Sequence, residues 1–281
     1  MITIKKFLFQ ALFLLPFLGF SQEMNQEENS IPESKKWEFN LDLMSRYLWR
    51  GQCWGGNYLA IQPTVEYAVS PKLAVGTWAT TNFKKEYFYP DNETSYKGYH
   101  EVDLYLSYQI NDFLQFQLWD YYWPSVSKVE GVSNKLFDYG PTSSQTVDAI
   151  LYFDFSEGYR YPFNATISTF ILGNDYRYDR NDNPKHNYTT YLELGYTLTL
   201  FKNIELLASS GVVLNNKAAY YTFADYDKPS LVNLSLKATK EIPLFGRFSM
   251  PISLNFVHNA ATKNTDFFGK DFLVAGVSFG Y

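Results

Sequence analysis

Beyond residue 21 the chain has no apolar run of membrane-helix length, which takes about 20 residues. It has one cysteine, Cys53, so no internal disulfide framework can form. Its three histidines are His100, His186 and His258, and neither H-E-x-x-H nor C-x-x-C occurs. A zinc enzyme therefore lacks ligands at usable spacing, and no metal or other cofactor is expected. Basic residues are the minority, 24 Lys and Arg against 29 Asp and Glu, for a net charge of −5. That balance argues against nucleic acid as a partner.

What is present divides the chain into three parts. Residues 1–21 read as a secretory signal. Lys5 and Lys6 precede the apolar stretch Phe7 to Phe20, and the small residues Gly19 and Ser21 stand before a cleavage point at Gln22. Loss of two lysines takes the charge from −5 to −7 and leaves about 260 residues, enough for one large β domain. Residues 22–35 are polar and aperiodic and read as a short disordered lead. Residues 36–281 form the third part. Aromatics make up 19% of the chain, yet its mean hydropathy is −0.27.

From Trp37 the sequence alternates with period two. Trp37, Phe39, Leu41, Leu43, Tyr47 and Trp49 share one parity, and Glu38, Asn40, Asp42, Arg46 and Arg50 the other. Successive strand side chains point to opposite faces, so each stretch has one apolar and one polar face. Twelve strands are expected, at 36–50, 58–69, 72–83, 98–110, 113–123, 145–155, 162–172, 188–200, 203–215, 230–240, 247–258 and 271–281. Tight turns at Ser70-Pro71-Lys72, Asn111-Asp112 and Phe201-Lys202 alternate with longer connections at 84–97, 124–144, 173–187, 216–229 and 259–270; the first connection, 51–57, is shorter. Alternating apolar-out and polar-in strands with short turns at one end describe an all-β, transmembrane, antiparallel up-and-down barrel of about twelve strands. A closed barrel pairs every backbone group without a helix, which suits insertion in outer-membrane lipid. On this reading both termini and the tight turns are periplasmic. Aromatic clusters near strand ends, at Trp37, Tyr47 and Trp49, Tyr87 to Tyr89, Tyr121 to Trp123, Tyr159 and Tyr161, Tyr220 and Tyr221, and Phe267 and Phe268, are expected to form interfacial girdles.

Catalytic motifs do not survive their context. Gly276-Val277-Ser278-Phe279-Gly280 matches G-x-S-x-G, but that motif needs a strand-to-helix turn, and here it lies inside an alternating strand. A barrel-embedded lipid hydrolase needs a serine beside a histidine, and parity puts Ser253 and His258 on opposite faces of one strand. No catalytic residue is assigned and no enzyme is expected. Asp175 to Asn183 carry three Asp and two Asn but lack the glycine and closing glutamate of a calcium loop, so a solvated turn is expected.

The polar parity carries the functional information. Glu38, Asp42, Glu66, Glu101, Asp103, Asp148, Asp154, Glu193 and Glu205 are expected to face inward, against Arg46, Arg50 and Lys237. Nine ionised groups do not suit a dry core. They suit a water-filled lumen that concentrates cations, or else they pair with Arg46 and Arg50 and plug a narrow barrel.

Ser45-Arg46-Tyr47-Leu48-Trp49-Arg50-Gly51-Gln52, followed by Ile61-Gln62-Pro63 and Val65-Glu66-Tyr67, resembles the opening of the TorF-type porin family. That family begins with a serine–aromatic–Arg-Gly strand end and a proline-containing second strand. Cys53-Trp54-Gly55-Gly56 stands here where polar loop residues are usual. The terminal strand ending at Tyr281 resembles the signal read by the barrel-assembly machinery. The resemblance implies a porin-like channel for small hydrophilic solutes, and the alternatives are a non-conducting adhesion barrel and a barrel-embedded lipid hydrolase.

Overall fold

A computed structural model describes residues 36–84, 98–124, 131–156, 161–201, 203–222, 229–244, 249–261, 265 and 268–280. The expected signal and lead at 1–35, Tyr87 to Tyr89, Tyr159, Phe267 and Tyr281 lie outside them.

Twelve strands close into one antiparallel barrel. They are β1 (Trp37–Met44), β2 (Ala60–Ser70), β3 (Leu73–Thr81), β4 (His100–Asn111), β5 (Leu114–Tyr122), β6 (Gln145–Asp154), β7 (Phe163–Gly173), β10 (Thr190–Leu200), β11 (Ile204–Val213), β12 (Ser230–Pro243), β13 (Ser249–His258) and β14 (Asp271–Gly280). β8 (Tyr176–Tyr178) and β9 (Pro184–His186) form a separate hairpin between β7 and β10, and one helical turn, α1 (Ala219–Thr222), precedes β12. Closure is made by β1, which pairs with β2 through Leu41↔Pro63 and with β14 through Leu41↔Phe279. No edge strand remains, so the ladder satisfies its own backbone.

Side chains hold the tight turns. The Ser70 hydroxyl accepts from the Lys72 and Leu73 amides at 3.3 and 3.1 Å. Asn111 Oδ1 accepts from the Phe113 and Leu114 amides at 3.1 and 3.0 Å. Such local bonds stabilise reversals between strands. These turns and both ends of the barrel segment share one rim, the turn end. The long connections share the other, the loop end.

The two faces differ as the alternation requires. On β4, Glu101 and Asp103 are buried while Val102 and Leu104 are each 48% exposed. Around the barrel Trp37, Phe39 and Leu41, Leu194 and Leu198, Leu234 and Leu236, Leu254 and Phe256, and Leu273 and Phe279 stand exposed on the outer face. A continuous apolar exterior of this extent is foreign to water-soluble monomers.

Inward glycines make room for large neighbours. A Cβ on Gly76 would run into the Tyr105 ring, one on Gly211 into Tyr191, and one on Gly276 into Met44. Each pair sits across adjacent strands and packs a bulky residue flat against the wall.

Two expectations fail. The first strand ends at Met44, not residue 50, and the first connection is the long segment 45–59. Period two continues past Met44, but Ser45 makes the last bond to β14, its amide donating to the Ala275 carbonyl at 2.7 Å. Beyond it Tyr47 and Trp49 pack on rings inside the barrel. The girdle assignment fails for the same residues. Tyr47, Trp49, Tyr121, Tyr220 and Tyr221 pack in the interior, whereas Trp37 and Tyr161 stand exposed at the turn end.

Candidate functional site

The interior is built from the inward parity of every strand plus segment 45–59. In the closed ring β7 lies six strands from β1 in either direction, so it is the opposite wall. Segment 45–59 reaches it: Trp49 stacks with Phe170 of β7, ring centres 6.4 Å apart, and with Tyr221 of α1 at 5.3 Å. An eight-strand barrel is filled by its own side chains, while barrels of sixteen or more leave an aqueous channel. With twelve strands, an inserted segment is what fills the loop end here.

Arg50 anchors the insertion. Its Nη2 lies 2.9 Å from Asp148 Oδ2 on β6, and its Nη1 donates to the Tyr221 hydroxyl at 2.5 Å. Its guanidinium sits 4.7 Å from the Trp49 ring centre and 4.8 Å from that of Tyr191. Asp148 also accepts from the Ser168 hydroxyl at 2.7 Å and from Tyr121 at 3.3 Å. A buried charge tolerates desolvation only when paired and hydrogen-bonded, and both partners here are. Gly51 follows with φ +82, and a Cβ there would strike the Val232 carbonyl of β12. Gln52 Nε2 donates to the Tyr220 carbonyl at 2.7 Å, and Asn259 Nδ2 to the Gly51 carbonyl at 3.1 Å. The segment is thus tied to β6, α1, the backbone of β12 and the connection after β13.

The sequence-predicted inward residues fall into two tiers. Glu101, Asp103, Asp148 and Glu193 lie in the loop-end half. Glu193 accepts from Asn233 Nδ2 at 2.8 Å and from the Tyr191 hydroxyl. Glu101 and Asp103 are 6% and 2% exposed, beside Tyr47 and Trp78.

Glu38, Glu66, Asp154 and Glu205 lie in the turn-end half, Asp42 stands two residues before the end of β1, and all five are half-buried or exposed. Glu38 sits directly opposite Glu66, which accepts from the Tyr105 hydroxyl at 2.9 Å. Asp42 lies opposite Gln62 and Ser278, and Asp154 opposite Asn164. Glu205 lies between Thr199 and Thr239, and Lys237 between Leu207 and Asn255. Arg46 and Arg50 act from the inserted segment rather than from the β1 wall. Arg46 bonds Asn57 Oδ1 at 2.7 Å and lies 5.8 Å from the Phe272 ring centre. The buried acids and the half-buried or exposed ones thus occupy different depths of one interior.

Sequence reasoning missed Trp49, Tyr121, Phe170, Tyr191 and Tyr221 as a single cluster. The usable signal was Trp49-Arg50-Gly51 followed by Cys53-Trp54-Gly55-Gly56, too apolar for a solvated loop.

Other candidate chemistry resolves locally. Ser278 lies in mid-strand opposite Asp42. His258 is on the outer parity, its Nδ1 2.7 Å from Asp271 Oδ1, and Ser253 on the inner. Residues 175–183 belong to the β8–β9 hairpin. Asp179 accepts from the Asn181 and Asn183 amides at 2.8 and 3.1 Å, which holds its carboxyl at about 2. Asp175 bonds Thr189, and burial raises its carboxyl. Among the described residues no group of three or more His, Cys, Asp or Glu is arranged to hold a metal.

A groove of about 660 Å³ lies near the turn end and includes Phe163, Ala165, Leu194, Tyr196 and Ala208. Phe163, Ala165, Leu194, Tyr196 and Ala208 are on the outer parity of β7, β10 and β11, and Asn164, Gly195 and Ser209, which also line the groove, are on the inner. A cleft of about 30 Å³ lies at the loop end, where Tyr47, Trp49 and Trp54 meet Tyr99, Glu101 and Tyr121.

A closed barrel with an apolar exterior and a polar, acidic interior defines the class: an up-and-down β-barrel of outer-membrane type. The chain belongs to the family described as bacterial protein of unknown function (Gcw_chp), whose model matches residues 32–227. No curated protein matches it. Solved structures that it resembles include LpxR from Salmonella typhimurium (TM-score 0.41, 10% identity, 87% of this chain and 99% of that one). A Salmonella typhi OmpF complex with daunomycin gives TM-score 0.38 at 7% identity, over 87% and 97% of the two chains. OprD of Pseudomonas aeruginosa gives 0.36 at 12%, over 88% and 67%.

Proposed function

We propose that this chain is an outer-membrane, porin-like channel of TorF type for small hydrophilic solutes, cation-leaning and narrowed at its loop end by segment 45–59. The observation that carries the reading is the set of half-buried or exposed acids Glu38, Asp42, Glu66, Asp154 and Glu205 on the inner wall of a closed barrel. Water must reach these groups, because unpaired carboxylates are not left dry. With Lys237 as the one wall cation assigned to that face among the described residues, the potential there is negative, which favours cations over anions. The apolar exterior supports a site in outer-membrane lipid.

On the same reading, the N-terminal signal exports the chain. The strand ending at Tyr281 is recognised by the barrel-assembly machinery, and the tight turns and termini face the periplasm. The reading assigns no hydrolysis and no cofactor. The inserted segment supports a second reading, a non-conducting barrel, because Trp49 and Arg50 cross to the opposite wall.

Planar-bilayer recording of the refolded full chain separates the two. The channel reading expects small single-channel steps with a cation-favouring reversal potential in a KCl gradient. Silence, both in this chain and in one whose segment 46–58 is replaced by a short Gly-Ser linker, would sink it.

A further inference from the structure

The loop-end cleft has a lining unlike the rest of the interior. Eight of its nine lining residues are aromatic, and the ninth is Glu101. Glu101 is 6% exposed; Tyr47 and Tyr99 hydrogen-bond its carboxyl, and its Oε2 has no hydrogen-bond partner. Two residues along the same strand face, Asp103 is 2% exposed with Oδ1 also unpartnered. No ion pair among the described residues involves either carboxylate. The nearest comparison inside the same barrel is Asp148, equally buried, which has Arg50, Ser168 and Tyr121 around it. One buried acid has its cation and the other two lack one.

We propose that this cleft is a binding site for a primary ammonium head group, the charged end of an alkylamine. A buried carboxylate needs a positive partner with hydrogens to give, and an ammonium supplies three donors. The ring walls suit the same ligand, because aromatic faces attract cations. Tyr47, Trp49, Trp54 and Tyr121 supply such rings. A bare divalent ion would need six or more oxygens, and only one acidic side chain lines the cleft. The volume of about 30 Å³ admits a group of roughly water size, which suits –NH3+ and excludes a quaternary head. Trp54 and Tyr99 lie outside the strands at the loop rim, so the alkyl tail leaves toward that side. The site stands whether or not ions cross the barrel.

The test is tryptophan fluorescence of the refolded full chain in detergent micelles at constant ionic strength. Trp49, Trp54 and Trp123 line the cleft and are half of the chain's six tryptophans. Titration with n-butylammonium chloride gives a saturable change, whereas KCl and tetramethylammonium chloride give none. Glu101→Gln weakens the response at least tenfold, and Asp154→Asn, at the other end of the barrel, leaves it unchanged. An equal response in Glu101→Gln, an equal response to all three salts, or no response in the unaltered chain would overturn the proposal. If Glu101→Gln does not fold, Trp54→Leu serves in its place: a butylammonium response undiminished there also overturns it. Because the readout needs no membrane, failure of conduction and failure of this site are seen separately.

Discussion

Arg50 and Asp148, 98 residues apart in sequence, meet at 2.9 Å inside the barrel with the carboxylate fully buried. This one pair joins the connection after β1 to the far wall. Removing one partner strands the other charge. Arg50→Ala is expected to cost about 3–5 kcal/mol, the usual penalty for breaking a buried pair. Replacing both with apolar residues, Arg50→Met with Asp148→Leu, is expected to cost clearly less. Urea unfolding in micelles, read from gel mobility, measures both. Equal losses would show that the pair does not hold the segment.

Gly51 is a second point of attachment. Its φ of +82 and its contact with the Val232 carbonyl leave no room for a Cβ. Gly51→Ala is expected to destabilise by about 1–3 kcal/mol, as overpacking does, and to loosen segment 45–59. Hydrogen exchange of the Gln52 and Trp49 amides, which bond to each other's carbonyls at 2.9 and 2.8 Å, reports the loosening. Unchanged protection of those amides in Gly51→Ala counts against an inserted, tightly seated segment.

The turn-end tier makes a separate prediction about charge. Glu38 and Glu66 face each other across β1 and β2, and like charges directly opposite destabilise a sheet. Glu38→Gln is expected to raise stability by roughly 0.2–1 kcal/mol. Together with Asp42→Asn and Glu66→Gln it lowers the preference for cations. Reversal potentials in a KCl gradient decide this, and an unchanged value removes the acidic wall from the account.

Acid acts on the β8–β9 hairpin through Asp179. The Asn181 and Asn183 amides hold its folded carboxyl at about 2, below the roughly 3.9 of an unfolded aspartate. The depressed value means that the charged form stabilises the turn above about pH 4, and that the contribution is lost as pH falls toward 2. Proteolysis within 175–189 is therefore expected to stay slow at neutral pH and to rise on acidification. Asp179→Asn should be cut at a rate that changes little between pH 5 and pH 2. A variant as pH-sensitive as the parent contradicts the assignment.

Much of the barrel was legible in the sequence, because period two is a local property and each outward run, such as Val102, Leu104, Leu106 and Tyr108, declares its face without help from distant residues. The tight turns declared themselves through Ser70-Pro71 and Asn111. What was not legible is where a strand leaves its sheet. Met44 to Arg50 keep alternating, so periodicity extends β1 by six residues, of which Ser45 alone still bonds β14 and the rest enter the interior. The interior cluster was hidden for the same reason. Trp49 and Phe170 meet only because closure places β7 opposite β1, and no local pattern encodes that. Arg46 and Arg50 were expected inside and lie inside, but they get there from the inserted segment.

The central claim is that an acidic, water-reached barrel is narrowed by segment 45–59. It is tested most directly by single-channel recording of the full chain beside Trp49→Ala with Arg50→Ala. The account predicts small cation-favouring steps in the parent and clearly larger steps, still cation-favouring, in the double variant. Equal conductance in the two chains, or a reversal potential that favours anions, would contradict it.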